Sequence, residues 1–395
     1  MKHIYIFIAV CILCSSCKEK QPKGHVEYSD IDQIHRSSLS YTNIDVNHAK
    51  VIRESEFFNK FVDKITYIPL DNKVPIKLID KIDKYEGNYY ILSEDKIVIF
   101  DKSGKYVRTI DYKGHGHNEY FSLHDFQIIP DENVILGIDD NQRRIFKFSL
   151  GTGKSLGSVD EVAGSPFTRK IGKYYYHSFL FGNDGNLRDS HQLVISDGKN
   201  IISQQFKTAP ISEQALVENN LYDYKNSVGF IPLYSDTVYT IDKNLSYHPK
   251  YVVNHKKSLW ELKDQRLAVS DVIKLVTKQG YSYLSASQFF ETRKGVVFCI
   301  KYGCKYGVFS RYYCYNKKDK QIFEVKTDEF ESKIKCIFPG KLAFLKDNIL
   351  CGYYYNLTPW KCLLNSNRIY QGKLCELIKQ SNESDNPILI EMKLK

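Results

Sequence analysis

Residues 88–110 decide how this chain folds; they read NYYILSEDKIVIFDKSGKYVRTI. Two runs rich in aromatic and β-branched residues, 88–92 and 96–100, are divided by Ser93-Glu94-Asp95. A turn follows at Asp101-Lys102-Ser103-Gly104, where the glycine can adopt a positive φ, and a third strand-like run comes next. Short runs of this composition between turn residues predict antiparallel strands joined by hairpins.

The same arrangement recurs along the chain. The first of these turns are separated by about 45 to 50 residues, the size of a four-stranded propeller blade. The runs that lead into the turns end near Asp101, Ser149, Ser196, Asp242 and Asn316. The gap before Asn316 is longer, and a further blade fits from Lys333 to the last residue. We therefore predict an all-β, six-bladed β-propeller, with an array of β-sandwiches as the alternative.

One helix is predicted inside the longer gap, over residues 258–279. Ser258 and Glu261 have the spacing of a capping box. Apolar residues at helical spacing follow on one face: Leu262, Val269, Val272, Ile273 and Val276. Removing this insertion restores the repeat, so the helix should lie between two blades.

A propeller ring has to close, because an open ring leaves a sheet edge unpaired. Ile65 to Ile68 near the start and Pro387 to Leu394 at the end are both strand-like. Proline suits the first position of a strand, where no ladder hydrogen bond is lost. We predict that the two segments share one blade and join the ends of the domain.

Composition agrees with a β-rich body. The 395 residues include 30 Tyr and 22 Phe, which favour strands. The formal net charge is +10, which suits acidic partners or an anionic surface but is also typical of lysine-rich turns and strand edges. No dense cluster of Lys and Arg interleaved with aromatic residues is present, so we expect no nucleic acid partner.

The N-terminus has the features of an export signal. Met1-Lys2-His3 is basic, and the uncharged run Ile4 to Leu13, about ten residues long, is too short to span a bilayer as a helix. Two serines and Cys17 follow, and the chain then turns polar. The segment resembles a bacterial lipoprotein signal, although Leu13 lies four residues before Cys17 instead of the usual three. We predict cleavage before Cys17 and lipidation of its thiol, with an unlipidated signal or an uncleaved anchor as alternatives.

These features divide the chain into three parts: a lipoprotein signal peptide at 1–16, a polar tether at 17–50 and the propeller domain at 51–395. The membrane is therefore an expected partner, reached through the N-terminal lipid. The expected location is the cell envelope, at the outer membrane, on its periplasmic or its surface-facing side.

Beyond Cys17, the mature chain has seven cysteines, all in its C-terminal third. An odd number cannot all pair, so at least one thiol stays free. Neither a C-x-x-C pair nor a histidine at finger spacing accompanies them, which argues against a zinc site. Cys299 and Cys314 lie inside strand-like runs and are predicted to be buried small apolar residues. The sequence is also compatible with one or two disulfide bonds among the seven cysteines.

Several segments, in their order, carry a family resemblance. They are Ile65 to Asp71, Phe100 to Lys105, Gly114 to Tyr120, Tyr234 to Tyr239, Pro249 to Tyr251 and Asn386 to Leu389. Over about residues 55 to 395 the chain resembles the six-bladed β-propeller lipoproteins abundant in gut Bacteroidetes. It departs from them at Asp71, where they have Glu, and at His117-Asn118, where they have Pro-Gly. The resemblance implies the fold and the envelope location, and no established reaction.

The loop from Lys113 to Tyr120 is the most unusual local stretch. His115, His117 and His124 could together hold a transition metal if the segment were extended, but the two glycines around His115 make a tight interblade crossing the simpler interpretation. Ligand contact through Lys113, His115 and Tyr120 is a third interpretation. If a site exists here, the loop should rim a mouth of the ring; no cofactor is expected.

Two tyrosine runs are further candidates. Tyr174 to Tyr176 and Tyr353 to Tyr355 could present faces that stack on sugar rings. The alternative is that some of these rings are buried between blades and the others face solvent.

No G-x-S-x-G elbow is present: Gly153 to Gly157 (GKSLG) matches the letters of that motif, but it lies at a turn between two strand-like runs and not between a strand and a helix. G-x-x-x-x-G-K-[ST] does not occur. Asp125 and Asp139 lie near strand ends, where aspartates usually cap turns. We therefore expect a non-enzymatic binding module for a glycan, peptide or partner protein. The alternative is a metal-dependent lyase or hydrolase with its site in the axial funnel.

Overall fold

The computed structural model describes residues 41–161, 163–179, 191–207, 218–224, 227–242, 245–262, 269–304, 307–326, 333–334, 338–339, 341–361, 369–370 and 372–395. The chain first runs along the outside of a ring of sheets. Its elements there are β1 (Thr42–Asp45), β2 (Lys50–Arg53), α1 (Glu54–Phe61) and β3 (Val62–Pro69), with a short 3-10 helix at Val46–His48.

The next twelve strands form three four-stranded antiparallel blades in chain order. Blade 1 contains β4 (Lys81–Tyr85), β5 (Asn88–Ser93), β6 (Lys96–Phe100) and β7 (Tyr106–Ile110). Blade 2 contains β8 (Asp125–Ile129), β9 (Val134–Asp139), β10 (Arg144–Ser149) and β11 (Ser155–Asp160), with a 3-10 helix at Pro130–Glu132. Blade 3 contains β12 (Phe167–Ile171), β13 (Tyr174–Ser178), β14 (His191–Ser196) and β15 (Ile201–Lys207).

Three further blades complete the ring. Blade 4 contains β16 (Leu221–Tyr224), β17 (Ser227–Phe230), β18 (Thr237–Ile241) and β19 (Tyr247–Asn254), and is followed by a 3-10 helix at Leu259–Leu262 and by α2 (Val269–Gln279). Blade 5 contains β20 (Ser282–Glu291), β21 (Gly295–Cys304), β22 (Gly307–Asn316) and β23 (Ile322–Lys326). The remaining elements are β24 (Lys333–Ile334), β25 (Lys341–Lys346), β26 (Ile349–Tyr354), a 3-10 helix at Thr358–Trp360, β27 (Ile369–Tyr370), α3 (Gly372–Gln380) and β28 (Ile388–Leu394).

Blade 6 is built from both ends of the domain. Its strand order is β25, β26, β28, β3, so the C-terminal strand lies between two others and the N-terminal strand forms the outer edge. β28 and β3 pair antiparallel, with Ile390 opposite Tyr67. The predicted closure is thus confirmed, and Pro387 directly precedes the strand that it was expected to begin.

The six-bladed propeller predicted from the repeat is confirmed. The innermost strands β4, β8, β12, β16, β20 and β25 contact one another in succession around the axis, and β25 returns to β4. The five strand ends that indicated the repeat all lie at the third strand of a blade, at the ends of β6, β10, β14, β18 and β22. The repeated turns in the sequence therefore mark the hairpin after the third strand in each of five successive blades.

Apolar side chains fill each of the six interfaces between blades. Between blades 1 and 2, for example, Ile97, Ile99 and Phe126 join one buried cluster, and similar clusters occupy the other five interfaces. Fully burying a side chain of this size contributes roughly 1.5–3 kcal/mol. Each blade packs one face against the preceding blade and the other against the following one, as blade 1 does with Ile97 and Ile99 on one face and Val98 and Phe100 on the other. The sheets are therefore stabilised by the ring as a whole.

The hairpin between β6 and β7 shows how the turn residues specify the blade. Asp101 Oδ1 accepts hydrogen bonds from the backbone N–H of Ser103 at 2.8 Å and of Lys105 at 3.0 Å. Gly104 has a φ of +88°, and a Cβ at this position would lie 2.1 Å from the carbonyl oxygen of Pro69. Only glycine fits there, because blade 6 passes directly beside the turn.

Two sequence predictions need correction. β1 pairs in parallel with β19 of blade 4, and β2 with β23 of blade 5, so residues 42–50 of the predicted tether belong to the propeller. The helical insertion lies between blades 4 and 5 as predicted, and its own residues Val272 and Val276 are buried against the propeller. Ile273, however, is 48% exposed, because the buried stripe of α2 runs through Val272 and Val276 and turns Ile273 away.

Candidate functional site

A large cavity lies on the propeller axis. It has a volume of about 1290 Å³ and is lined by the innermost strands of all six blades. The inner strands all run in the same direction, so the cavity has one mouth where they begin and another where they end. Axial openings of this kind are concave sites with convergent polar groups, the usual geometry of a ligand site.

Three charged side chains meet at the wall of this cavity, and we call them the axial ion cluster: Lys81, Asp125 and Arg169. Lys81 Nζ donates to Asp125 Oδ1 at 2.7 Å and to the carbonyl oxygen of Phe126 at 2.5 Å. Arg169 Nη1 donates to Asp125 Oδ2, and the Asn219 amide approaches the same oxygen at 3.5 Å. The cluster therefore ties the inner strands of blades 1, 2 and 3 to one carboxylate.

Burial distinguishes the members of the axial ion cluster. The side chains of Asp125 and Arg169 are 1% and 5% exposed, whereas that of Lys81 is 20% exposed toward the cavity. Burial alone would raise the pKa of Asp125, but the charges of Arg169 and Lys81 outweigh it and hold that pKa below its usual value. Burial, followed by the charge of Arg169, lowers the pKa of Lys81, although Asp125 acts in the opposite direction.

The mouth where the inner strands begin is acidic. Its lining carries four carboxylates, Asp80, Glu94, Asp95 and Glu218, against one exposed lysine, Lys341, and we call it the acidic mouth. Lys77 approaches Glu94 at 3.3 Å and Lys113 pairs with Asp95, both from outside the lining. Glu218 accepts hydrogen bonds from the Ser285 hydroxyl at 2.9 Å and the Ser287 N–H at 3.3 Å.

The mouth where the inner strands end is basic. Arg293 and Lys294 are exposed in the hairpin after β20, and Lys346 ends β25; we call this end the basic mouth. Asp83 and Asp347 are acidic residues beside them, and Lys346 approaches Asp83 at 3.8 Å. Glu291 also lies at this end, but it is buried and neutralised by Lys250 and Lys317, each at 2.7 Å. The two mouths thus have opposite charge.

Between the mouths, the wall opposite the axial ion cluster is uncharged. Blade 5 contributes Ala286 and Ser287, and blade 6 contributes Leu342 and Ala343. Gln288 lies behind this wall and is satisfied within the protein: its amide donates to the Leu342 carbonyl at 2.9 Å and its oxygen accepts from the Leu342 N–H at 3.0 Å. The cavity therefore has one charged side and one neutral side.

The loop highlighted in the sequence lies beside the acidic mouth but contributes little to the cavity. Lys113 pairs with Asp95 and is about half exposed. The His115 ring packs edge-on against Phe121, with 5.1 Å between the ring centroids. The backbone carbonyl oxygen of His117 accepts a hydrogen bond from the Arg144 guanidinium at 2.9 Å. Only His124 reaches the cavity lining, and its ring is held by Asp140.

The three histidines thus have separate partners, and no group of three or more metal-binding side chains occurs among the residues that the structure describes. Tyr120 is fully buried between blades 1 and 2, and its hydroxyl accepts from the Tyr112 N–H at 3.1 Å. The interpretation of Tyr120 as a ligand contact is therefore wrong, because the side chain has no surface left for one.

The tyrosine runs are largely structural. Tyr175 and Tyr176 are 8% and 1% exposed, and Tyr353 and Tyr354 are 4% and 8% exposed. Tyr355 is 42% exposed, but its hydroxyl accepts from the Ile79 N–H at 2.9 Å. Most of these rings are buried between blades, so neither run forms a broad exposed stacking surface.

Cys299, Cys314 and Cys351 are buried in strands, as predicted for the first two. Burial raises the pKa of the Cys299 thiol to about 11 and that of Cys314 to about 12. These thiols stay protonated at neutral pH and act as small apolar side chains.

Of the two aspartates noted in the sequence, only Asp139 caps a turn. It accepts from the N–H of Phe121 at 2.7 Å and of Gln142 at 3.0 Å. Asp125 instead anchors the axial ion cluster, so its interpretation as a turn cap is wrong. A signal for the cluster was present in the sequence: Lys81, Asp125 and Arg169 follow each other at intervals of 44 residues, close to one blade.

Cys17 and the predicted signal peptide lie outside the described residues. Within the part of the chain that the structure describes, every helix is too short or too polar to cross a membrane.

Two solved structures of Bacteroides proteins have a similar fold. One, from Bacteroides fragilis NCTC 9343 and described as exported, is 17% identical with a TM-score of 0.73, over 90% of this chain and 100% of that one. The other, a member of the DUF4221 family from Bacteroides vulgatus ATCC 8482, is 14% identical with a TM-score of 0.51, over 85% of this chain and 98% of that one. These identities support similarity of fold alone.

No curated protein matches the sequence. A family model does match, over residues 41–393, and thus over the six blades together with the outer strands β1 and β2. The chain therefore belongs to the family described as domain of unknown function DUF4934.

Proposed function

We propose that this protein is a lipid-anchored binding module of the cell envelope that holds a ligand, foremost a glycan, in the axial cavity of its propeller. The observation that carries the proposal is the cavity of about 1290 Å³, lined by all six inner strands and bearing buried charges on one side. A rigid closed ring holds these groups in place before the ligand arrives, which reduces the entropy lost on binding.

Binding is favoured over catalysis by how the charged groups are used. Asp125 accepts hydrogen bonds from two cations, and Glu218 from a hydroxyl and an N–H, so these two carboxylates of the wall are not placed as free bases. A metal-dependent reaction would need several converging ligands, and the described residues hold no such group.

The test of cavity binding uses two variants that fill the channel, Ala286→Trp and Ala343→Trp. The purified propeller is applied to an array of oligosaccharides, and Val107→Trp, on the exposed outer strand β7, serves as the control that introduces the same side chain outside the channel. We expect wild-type signals that the control keeps and both filled variants lose. If the array gives no signal that depends on the open channel, the proposal is overturned.

The proposed location in the cell envelope is supported by residues 1–17, whose basic start, apolar run and cysteine match a lipoprotein signal. The exported relative of similar fold agrees with this location. In cells labelled with a fatty acid, we expect the label on the wild-type protein, in the membrane fraction. Cys17→Ser should abolish the label and release the protein; an unlabelled wild type would contradict the anchor.

A further inference from the structure

A second concave site lies off the propeller axis, on the face of the basic mouth. It is a groove of about 610 Å³ between blades 5 and 6, and we call it the side groove. Two hairpins of blade 5, the end of α1 and the end of β28 surround it. Its volume falls in the usual range of sites for small molecules. The hairpin at residues 292–294 lines both the side groove and the axial cavity, so the two sites are neighbours.

The floor of the side groove is apolar. It is the end of the buried cluster between blades 5 and 6, to which Val297 and Cys314 contribute from blade 5. Phe61 and Leu394 pack against the same cluster, line the groove and are only partly buried. A ligand that covers this surface removes apolar area from water, which favours binding.

The rim of the side groove is basic. The residues that the structure describes bring no acidic side chain to its lining, whereas they bring six cationic ones: Lys60, Arg293, Lys294, Lys317, Lys318 and Lys395. Lys317 is held by the buried Glu291 at 2.7 Å. Arg293, Lys294 and Lys318 are exposed, and no ion pair to any of them is found in the described part of the chain. The rim therefore attracts a negatively charged group.

The polar side chains of the lining are used within the protein. The Thr292 hydroxyl bonds to backbone groups of its own hairpin. Asn316 Oδ1 accepts from the Lys318 N–H at 2.9 Å, and the Asn348 amide donates to the Leu394 carbonyl oxygen. The side groove thus combines an apolar floor with cations and presents few other hydrogen-bonding groups to a ligand.

This combination distinguishes between classes of ligand. A sugar ring or a peptide would leave hydroxyl or backbone amide groups without partners against the apolar floor, which is costly. An alkyl chain has no polar groups to satisfy, so it can cover the floor without that cost. A carboxylate at its end can accept charge-assisted hydrogen bonds from ammonium or guanidinium groups of the rim.

We propose that the side groove binds a free fatty acid, with the alkyl chain on the apolar floor and the carboxylate on the basic rim. The inference goes beyond the proposed function, because it adds a second site with a different class of ligand. Lys60 and Lys318 line the side groove alone, whereas Arg293 and Lys294 also line the axial cavity. Substitution of the first pair therefore tests the side groove without altering the lining of the axial cavity.

The experiment measures binding by calorimetry with four probes below the concentrations at which they aggregate: octanoate, decanoate, dodecanoate and the neutral dodecanol. Each extension by two carbons should tighten binding by about tenfold, because two more methylene groups are buried. Dodecanol should bind about fivefold more weakly than dodecanoate, because it lacks the charge. An affinity that does not rise with chain length, or equal binding of dodecanol and dodecanoate, overturns the inference.

A double variant of the rim tests the contact with the carboxylate. Lys60→Gln with Lys318→Gln should weaken the binding of dodecanoate about fivefold and leave that of dodecanol unchanged. Lys102→Gln with Lys105→Gln makes the same change of charge on the exposed hairpin of blade 1 and should bind both probes as the wild type does. Equal losses in the two double variants would contradict a carboxylate contact at the side groove.

A variant of the floor separates the side groove from the axial cavity. Leu394→Trp fills the groove and should weaken both twelve-carbon probes by about tenfold or more, whereas Val107→Trp, outside the groove, should not. Ala286→Trp blocks the axial cavity and should leave the binding of dodecanoate unchanged. If it abolishes that binding instead, the fatty acid lies on the axis and the inference fails, while the cavity function stands. Sedimentation with phosphatidylglycerol vesicles, without binding of dodecanoate, would identify a membrane contact and also overturn the inference.

Discussion

The two mouths of the axial cavity differ in how their charged side chains are paired. At the acidic mouth, charged side chains are paired: Lys81 with Asp125, Lys77 with Glu94, His124 with Asp140. At the basic mouth, Arg293 and Lys294 are exposed, and no ion pair to either is found among the described residues. The acidic mouth therefore uses these charges within the protein, whereas the basic mouth presents Arg293 and Lys294 to solvent beside its paired Lys346 and Glu291. Substitutions should accordingly change stability at the first end and ligand capture at the second.

The largest effect is expected at the inner limit of the acidic mouth. Asp125→Ala removes the carboxylate that compensates two buried cations, and it should lower the free energy of unfolding by about 3–5 kcal/mol. Urea denaturation measures this loss. Asp83→Ala, on the same strand as Lys81 and partly exposed, is the control and should cost less than about 1 kcal/mol. Equal losses in both variants would erase the contrast between the two ends.

The next effect concerns the basic mouth. For an acidic oligosaccharide probe such as trigalacturonate, the double variant Arg293→Glu with Lys294→Glu should slow association about tenfold at low salt, because the electrostatic attraction of the basic mouth is reversed. The free energy of unfolding should change by no more than about 0.5 kcal/mol. Stopped-flow mixing at low salt and at about 1 M salt checks both points, since the difference should nearly vanish when charges are screened. Lys102→Glu with Lys105→Glu carries the same charge change on the hairpin of blade 1 and should leave the rate unaltered.

A smaller effect sharpens the comparison from the acidic side. Glu94→Gln removes one carboxylate from the acidic mouth, so the affinity for the same acidic oligosaccharide probe should rise by about twofold to threefold, as expected for one partly screened charge. Stability should hardly change, because Glu94 and Lys77 form an exposed pair. Calorimetry with the wild type as reference measures the change. A weaker affinity would mean that this carboxylate assists binding.

The smallest effect is a response to pH that only the acidic mouth should show. The hydrogen bond with Asp140 raises the pKa of His124. A group with a raised folded pKa adds stability that is complete below its unfolded pKa of about 6.5 and is lost as the pH rises through the folded value. Because the His124 side chain is 43% exposed, solvent screens the pair, and the change should stay near 0.5 kcal/mol.

The measurement compares urea denaturation of the wild type and His124→Gln at pH 5.5 and pH 8.5. The wild type should lose more stability than the variant between these values. Identical losses would place the pH response elsewhere.

Much of the fold could be predicted from local sequence. Asp101 and Gly104 specify their hairpin by side-chain hydrogen bonds and positive φ, and such turns recur at the end of each third strand. Closure could also be predicted, because Ile68 and Leu389 lie in apolar runs long enough to pair. The outer strands β1 and β2 were missed because each is four residues long and pairs in parallel with a distant blade, without a hairpin of its own.

The site was harder to predict than the fold. The sequence pattern pointed to His115 and His117, which stand in an unusual glycine-rich loop but lie outside the cavity lining. Lys81, Asp125 and Arg169 are ordinary residues in ordinary strands, and only the ring brings them together. Their spacing of 44 residues becomes informative once the repeat is applied to charged positions as well as to turns. The lowered pKa of Lys81 comes first from its own burial and then from the charge of Arg169, and local sequence contains neither.

The pairing of β3 with β28 sets the order in which the molecule can be completed. β3 is made early but finds its sheet partner only when residues 388–394 arrive. Until then the last sheet lacks its third strand and the core between blades 5, 6 and 1 has no cover on one side. A chain that passes through a translocation channel would consequently keep an open ring until its final segment emerges. A chain that lacks this last strand should be cleaved readily by proteases, because its ring cannot close.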